Sequence, residues 1–373
     1  MLRVYTHITI GSLSFPFVAD YGIETNIKNQ TQGGTVTIPK NLYYRDANNR
    51  LRLFGGKSVK VSDLIKRGDK VKIEAGYFGF STIYTIFEGF VSMVGSKTPI
   101  EISVEDNMYQ LKQTPVNPGT FTTLEALLSH ILTGTGFTFQ TMAEVTTIGE
   151  FVVGNETAAQ VLQRVEKDYK FNAYFRGNEL RCGVIRFPRE NAKEYVFNFQ
   201  KNIIDDTLEY KYKDDVKLSC IASNTIEEPK AGTTQDGKPK TKRKTLRALV
   251  EFVSNGQYVT EDGTKYNITD VTDGYIPQAT EGERMDYIFT GATTINELGR
   301  MGAEQLQRYY YSGYRGEFTT FGAPYVQIGD IANLQDSVLP ERNGRYQVVA
   351  VKYNGGTGGL RQIIEIELKL GGQ

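Results

Sequence analysis

Apolar and polar residues alternate with a period of two in several separate stretches, and this period limits the fold more than any other feature of the chain. In Lys70-Val71-Lys72-Ile73-Glu74-Ala75 and in Ile100-Glu101-Ile102-Ser103-Val104-Glu105, every second side chain is apolar. That is the pattern of a strand with one face on a core and one in water. Ile364, Ile366, Leu368 and Leu370 alternate with Glu365, Glu367 and Lys369 in the same way, and with Tyr346 to Tyr353 they flank Gly355-Gly356-Thr357-Gly358-Gly359, which predicts a hairpin. Tyr84 to Val94 is rich in β-branched and aromatic residues, and its single glycine, Gly89, predicts a bulge or tight bend. With 38 Gly, 23 Tyr, 20 Phe and no Trp, composition points the same way. The expected fold is mainly β, beginning with a small closed or nearly closed barrel.

The texture changes at Thr114-Pro115-Val116-Asn117-Pro118-Gly119, which neither a strand nor a helix crosses easily. A capping box, Thr122-Thr123-Leu124-Glu125, then leads into a helix with Leu124, Leu127, Leu128, Ile131 and Leu132 on one face and Gly134 at its end. Thr157-Ala158-Ala159-Gln160 opens a second helix, striped by Ala158, Val161, Leu162, Val165 and Tyr169. Residues 116–189 read as a small α/β unit. Tyr195, Phe197 and Phe199 resume the period of two, and strands run to about Ile226, followed by a polar loop from Glu227 to Lys244. A third box, Thr294-Ile295-Asn296-Glu297, opens a helix to about Tyr311 with Ile295, Leu298, Gly302, Leu306 and Tyr309 on its stripe. Strands on both sides of a helical unit hint at a duplicated barrel. The boundaries expected are 1–114 for the first barrel, 115–189 for the α/β domain and 190–373 for a second β-barrel region, with an insertion or divergent segment over 227–285.

Forty-three basic residues balance 43 acidic ones, which argues against polyanion binding by bulk charge. Cys182 and Cys220 support no disulfide framework. The start, MLRVYTHITIGSLSF, lacks the apolar run of an export signal. No stretch reaches the roughly 18–20 apolar residues of a membrane span. A chain soluble as made is expected.

Candidate reactive groups are few. His7 falls in the first strand and His130 in the first helix, and neither comes with a nucleophile and an orienting group visible in the sequence. There is no His-x-x-x-His, no Cys-x-x-Cys and no Gly-x-Ser-x-Gly. Gly55-Gly56-Lys57-Ser58 fails as a phosphate-binding loop because Leu51 stands where its first glycine belongs. Asp205-Asp206, Asp214-Asp215 and Glu227-Glu228 pair acids that point to opposite faces of a strand. Lys238, Lys240, Lys242, Arg243 and Lys244 form a basic run behind Asp236-Gly237, which reads as a solvated loop or the guard of a strand edge. No catalytic residue, cofactor or metal is assigned.

Three groups of residues carry a resemblance. Arg67-Gly68-Asp69-Lys70-Val71-Lys72-Ile73-Glu74-Ala75-Gly76-Tyr77, Ile86-Phe87-Glu88-Gly89-Phe90-Val91 and Val104-Glu105-Asp106-Asn107-Met108 resemble the first barrel of phage tail baseplate hub proteins. Asn155 to Leu162, Asp168-Tyr169 and Ala173-Tyr174-Phe175-Arg176 resemble that family's small α/β domain. Gly313-Tyr314-Arg315-Gly316, Phe321-Gly322-Ala323-Pro324, Gly329-Asp330 and Gly344-Arg345-Tyr346 complete the match, which thins between Glu227 and Met285. The family includes the hub portion of type VI secretion spike proteins. The resemblance implies two tube-like barrels per subunit and a homotrimer forming a pseudo-six-fold ring. Its implied partners are the tail tube or tube-initiator proteins above and a central spike below, with DNA or an effector passing through. The implied location is the baseplate of a virion tail, assembled in the bacterial cytoplasm. It also makes Gly89, Asp106, Gly322, Pro324, Gly329 and Asp330 turn or bend residues without chemistry. The alternatives are a cell-wall glycosidase of the tail tip and a distal tail or receptor-binding module.

Overall fold

A computed structural model describes the chain apart from residues 1–2, 17, 40–42, 54–63, 80–82, 143–146, 170, 184–191, 234–238, 262, 275–282, 290–291 and 371–373. The first β region holds β1 (Val4–Ile10), β2 (Leu13–Phe15), β3 (Asp20–Asn26), β4 (Gly33–Ile38), β5 (Tyr43–Arg45), β6 (Leu51–Leu53), β7 (Lys70–Tyr77), β8 (Ile83–Val94) and β9 (Ile100–Glu105). A short helix, α1 (Met108–Leu111), leads to β10 (Gly119–Thr123), α2 (Leu124–Ile131), β11 (Thr138–Met142), β12 (Thr147–Val153), α3 (Ala158–Tyr169), β13 (Asn172–Arg176) and β14 (Glu179–Gly183). Then follow β15 (Glu194–Asn198), β16 (Ile203–Asp206) and β17 (Glu209–Lys211). The next group is β18 (Leu218–Thr233), β19 (Pro239–Phe252), β20 (Tyr258–Val259), β21 (Lys265–Asp270), β22 (Glu283–Ile288) and α4 (Ile295–Gln307). The last strands are β23 (Gly313–Phe321), β24 (Ile331–Gln335), β25 (Gly344–Gly356) and β26 (Gly359–Leu370).

The fold is mainly β, with an α+β insert. The two β regions are hydrogen-bonded to one another in a single 16-stranded sheet whose main path runs β16-β23-β26-β25-β3-β4-β9-β8-β7-β1-β2-β5-β6. The seam is the antiparallel pair β3–β25, in register from Asp20↔Gly356 to Asn26↔Ala350. One apolar core, including Ile8, Ile73, Val104, Phe318, Val351 and Ile364, spans both sides of this seam. The α/β unit keeps a core of its own around α2 and α3.

Both β regions repeat one strand plan. β8 pairs with β9 at Val91↔Val104 and resumes at Met93↔Ser103, one residue out of step. β25 pairs with β26 at Val348↔Ile366 and resumes at Ala350↔Glu365, with the same bulge. Gly68-Asp69 closes onto Val91, whose N–H meets the Asp69 carbonyl at 2.9 Å, and Gly329-Asp330 closes onto Val348 at the same distance. The next strand inward is β4 against β9 and β23 against β26, so Gly34 and Gly316 occupy matching positions opposite Val104 and Ile366. Both need glycine, since a Cβ would stand 1.8 Å from the Gly22 carbonyl oxygen at Gly34 and 2.9 Å from that of Thr207 at Gly316. Gly34→Ala is expected to force β3 from β4 and to cost about 3 kcal/mol in denaturant unfolding. Unchanged stability would mean that the strands are not held this close. The plans differ beyond this: β1 runs antiparallel to β7, whereas β15 runs parallel to β24, and among the described residues β2, β5 and β6 have no counterpart in the second region.

β18 to β22 form a separate five-stranded sheet in the order β20-β21-β19-β18-β22. α4 packs on it where Gly302 lies against Cys220, Ala222 and Val250. Of the segment read as an insertion over 227–285, β19, β20 and β21 and parts of β18 and β22 belong to this sheet, which begins earlier, at Leu218.

The structure corrects three readings. Within the stretch read as a polar loop, Glu227 to Thr233 and Pro239 to Lys244 are the two strands of a ribbon, because β18 and β19 pair from Ser219↔Glu251 out to Thr233↔Pro239. A ribbon satisfies its backbone across the strands and so needs little apolar content. Its register sets Glu227 opposite Arg243 and Glu228 opposite Lys242. The cap of α2 is Thr123, not Thr122, with its hydroxyl accepting from the Ala126 N–H. α4 ends at Gln307, short of Tyr311, because Tyr310 turns to Phe252 and Tyr311 donates its hydroxyl proton to the Glu367 carbonyl. Both other capping boxes form, at Thr157 with Gln160 and at Thr294 with Glu297. Gly55 to Ser58, Asp236, Gly237 and Lys238 lie outside the described residues.

Candidate functional site at the junction of the β regions

The turn and bend residues expected from the sequence fall at two places along the junction. Gly89, in β8, faces the end of β9, and a Cβ there would lie 2.2 Å from the Glu105 carbonyl oxygen. Next to it, Asp106 leads β9 into α1. Its carboxyl Oδ1 accepts from the Met108 N–H at 3.1 Å, and its own N–H donates to the Gln32 carbonyl at 2.9 Å. Oδ2 is buried with no hydrogen-bond partner. Burial therefore pushes the Asp106 carboxyl up to about 8, against the pull of the Met108 N–H.

The second place is the turn between β23 and β24. Gly322 lies against Leu360, where a Cβ would meet Cγ at 2.2 Å. Its N–H donates to the Tyr77 hydroxyl at 3.0 Å, and that hydroxyl donates to the Leu360 carbonyl at 2.9 Å. One side chain of the first β region thus bridges two strands of the second. Pro324 follows a cis peptide bond, and the Gln362 side-chain amide donates to the carbonyls of both Phe321 and Pro324. Gly329 has φ +84°, which glycine adopts without strain.

Asp330, 1% exposed, is the hub of this turn. Oδ2 accepts from the Gln327 N–H at 2.9 Å, and Oδ1 accepts from the Lys193 N–H at 3.4 Å and from Arg176 Nη2 at 3.3 Å. Arg176, at the end of β13, also donates Nε and Nη2 to Gln327 Oε1 at 3.0 and 2.7 Å. The α/β unit is therefore clamped to the second β region by charge-assisted bonds. Beside the clamp, Tyr84, Tyr325 and Tyr353 stack at successive ring distances of 5.3 Å. A cleft of about 750 Å³ opens here, lined by Lys70, Glu88, Asn107, Gly136, Arg176 and Gln327.

Tyr77→Phe is expected to destabilise the chain by about 2 kcal/mol, because it leaves the Gly322 N–H without its acceptor in a buried setting, while the Leu360 carbonyl keeps only its bond from Arg361 Nη1. Thermal unfolding checks this, and an unchanged midpoint would count against the bridge.

Sequence reasoning missed one constellation. His7 Nε2 lies 2.7 Å from Ser14 Oγ and its Nδ1 lies 3.3 Å from Glu74 Oε2, which joins β2, β1 and β7 side by side. The cross-strand register His7↔Glu74 was not visible in a sequence where the two are far apart. Lys72, then His7, holds the Glu74 carboxyl below the usual carboxylate range. Ser14 is flanked on both sides by sheet ladders, with Thr9 and with Arg45, so the trio pins three strands. His130 meets the Asn117 carbonyl at 2.8 Å and packs on Phe121. Asp205 and Asp206 are exposed on β16. Among the described residues, no three His, Cys, Asp or Glu side chains gather closely enough to hold a metal ion, and no helix is long and apolar enough to cross a membrane.

No family model matches the sequence, and no curated protein matches it. Solved structures do. The chain is similar to the 43 kDa tail protein of prophage MuSo2 from Shewanella oneidensis at 12% identity, over 98% of each chain, with a TM-score of 0.55. It is similar to a tail protein from Neisseria meningitidis MC58 at 10% identity, over 98% of this chain and 96% of that one, with a TM-score of 0.56. At these identities the likeness is one of fold.

Proposed function

We propose that the chain is a structural baseplate hub of a phage tail, or of a phage-derived injection device. Three copies form a pseudo-six-fold ring that joins the tail tube to the central spike. The observation that carries this reading is the repeated strand plan, joined within one chain at the β3–β25 seam. A chain with two similar β units offers a six-fold tube six similar positions from three subunits, and a three-fold spike three identical ones. The fold shared with two tail proteins supports it.

The role is one of geometry, without bond-making or cofactor. Asp106, Gly322, Pro324, Gly329 and Asp330 hold the β units and the α/β unit in fixed relation, and Gly89 lets β9 approach β8. The partners are a second and third copy, the tube or tube-initiator protein on one face and the spike on the other, with DNA or an effector passing between them. The site of action is the tail baseplate. Reconstitution tests this: purified chain mixed with the tube and spike proteins of the same tail should give one complex holding both, on opposite faces. A chain that binds neither contradicts the reading.

A further inference from the structure

We infer that neighbouring copies join by strand addition, the Thr207–Tyr212 edge of one copy pairing with the Ser92–Lys97 edge of the next as β3 pairs with β25 within the chain. This rests on the trimeric reading above and names its interface.

The argument is internal equivalence. β25 uses its first part against β24 and, past Val348, turns the same edge to β3. β8 is its counterpart, since Val91, Met93 and Val94 match Val348, Ala350 and Val351 through the common bulge. Past Val91, however, the equivalent edge of β8 has no strand against it among the described residues. Met93 there is 61% exposed. The counterpart of β3 is the β16–β17 segment, because β3 borders β4 and this segment borders β23. Asp20↔Thr37 and Glu24↔Gly33 in the first region match Asp205↔Thr319 and Glu209↔Arg315 in the second. The outer edge of β16–β17 also has no strand against it among the described residues.

Each chain thus carries one closed seam and the two open halves of another. Both halves expose apolar side chains that a solvated edge does not need: Met93 on one, and Ile204 at 45% and Tyr212 at 59% on the other. Lys97 is exposed at the β8 edge and Asp205 and Asp206 are exposed on the facing segment, where Glu209 is already paired with Lys211. The occupant is a second copy, because this chain itself carries the β3-like strand in the matching register. Two different edges meeting head to tail make a heterologous contact, which closes into a ring when the rotation fits.

The equivalence fixes the register. Seam pairs Ala350↔Asn26, Val351↔Thr25 and Lys352↔Glu24 translate to Met93 opposite Lys211, Val94 opposite Tyr210 and Gly95 opposite Glu209 of the next copy. The Ile27 N–H to Val349 carbonyl bond translates to Tyr212 and Ser92.

Cysteine cross-linking of the full chain tests this. Cys182 and Cys220 are buried, so unsubstituted protein should not link. Met93→Cys/Lys211→Cys, at two surface positions, should oxidise to covalent dimers and trimers on a denaturing gel and return to monomer with reductant. Ser92→Cys/Tyr212→Cys should do the same, and guards against one pair failing to fold. The off-register Met93→Cys/Glu209→Cys should not. Mixing Met93→Cys chains with Lys211→Cys chains should stop at linked dimers. A trimer in solution with neither in-register pair linking overturns the inference and leaves the hub reading standing. A chain that remains monomeric to its solubility limit and never links overturns both.

Discussion

Asp106→Asn is expected to stabilise the chain by about 4 kcal/mol at pH 7 and by about 6 kcal/mol at pH 9, order-of-magnitude figures from a folded carboxyl near 8 and an unfolded one near 3.9. Because the folded value is the higher one, the unfolded chain gives up this proton first as pH rises. Stability linked to Asp106 is full below about pH 4, declines through the interval and is lost by about pH 8. Asparagine keeps the oxygen that accepts from the Met108 N–H and carries no charge to bury. Denaturant unfolding at pH 4, 7 and 9 should show wild type and variant together at the acid end and diverging above it. A variant less stable at pH 9 would mean that the buried carboxyl is ionised and held by a partner.

Asp330→Ala is expected to cost about 3–5 kcal/mol, the loss typical of a buried charge pair stripped of one member. The Gln327 and Lys193 amides lose their acceptor at once, and the Arg176 guanidinium loses its counter-charge and keeps only Gln327 Oε1. Arg176→Ala should cost less, because the carboxyl would retain both backbone amides and the Arg176 side chain is partly solvent-exposed. The α/β unit should also come loose in Asp330→Ala, visible as faster amide hydrogen exchange in β13 and β14. Equal stability of Asp330→Ala and wild type would remove the clamp from the account.

What the sequence made legible was local. Alternation in Lys70–Ala75 and Ile363–Leu370 marks strands whose faces differ in polarity, and Thr157 with Gln160 or Thr294 with Glu297 marks helix starts, because these signals span a few residues. The pairing of β18 with β19 beyond Ile226 was hidden because it rests on backbone register between two strands, which leaves no hydropathy pattern in either. The β3–β25 seam was invisible for another reason. Its partners, such as Gly22 and Asn354, are brought together by the fold and share no pattern that names the other. At the junction, Asp330, Gly329 and Gly322 were singled out in the sequence, yet the partners of Asp330 in Arg176 and Lys193 were not visible there, since a carboxyl in a turn is usually solvated. The Ser14, His7 and Glu74 trio came from sheet register alone.

The central claim is that three copies imitate six. The most direct measurement is the mass of the chain in solution, alone and with its tube and spike proteins, followed by averaged images down the ring axis. The account predicts three times the 41.9 kDa of one chain and a ring with a central opening and six β lobes, alternately linked by seams within and between chains. An assembly of two or six copies, or a three-fold particle with no opening on its axis, would contradict it.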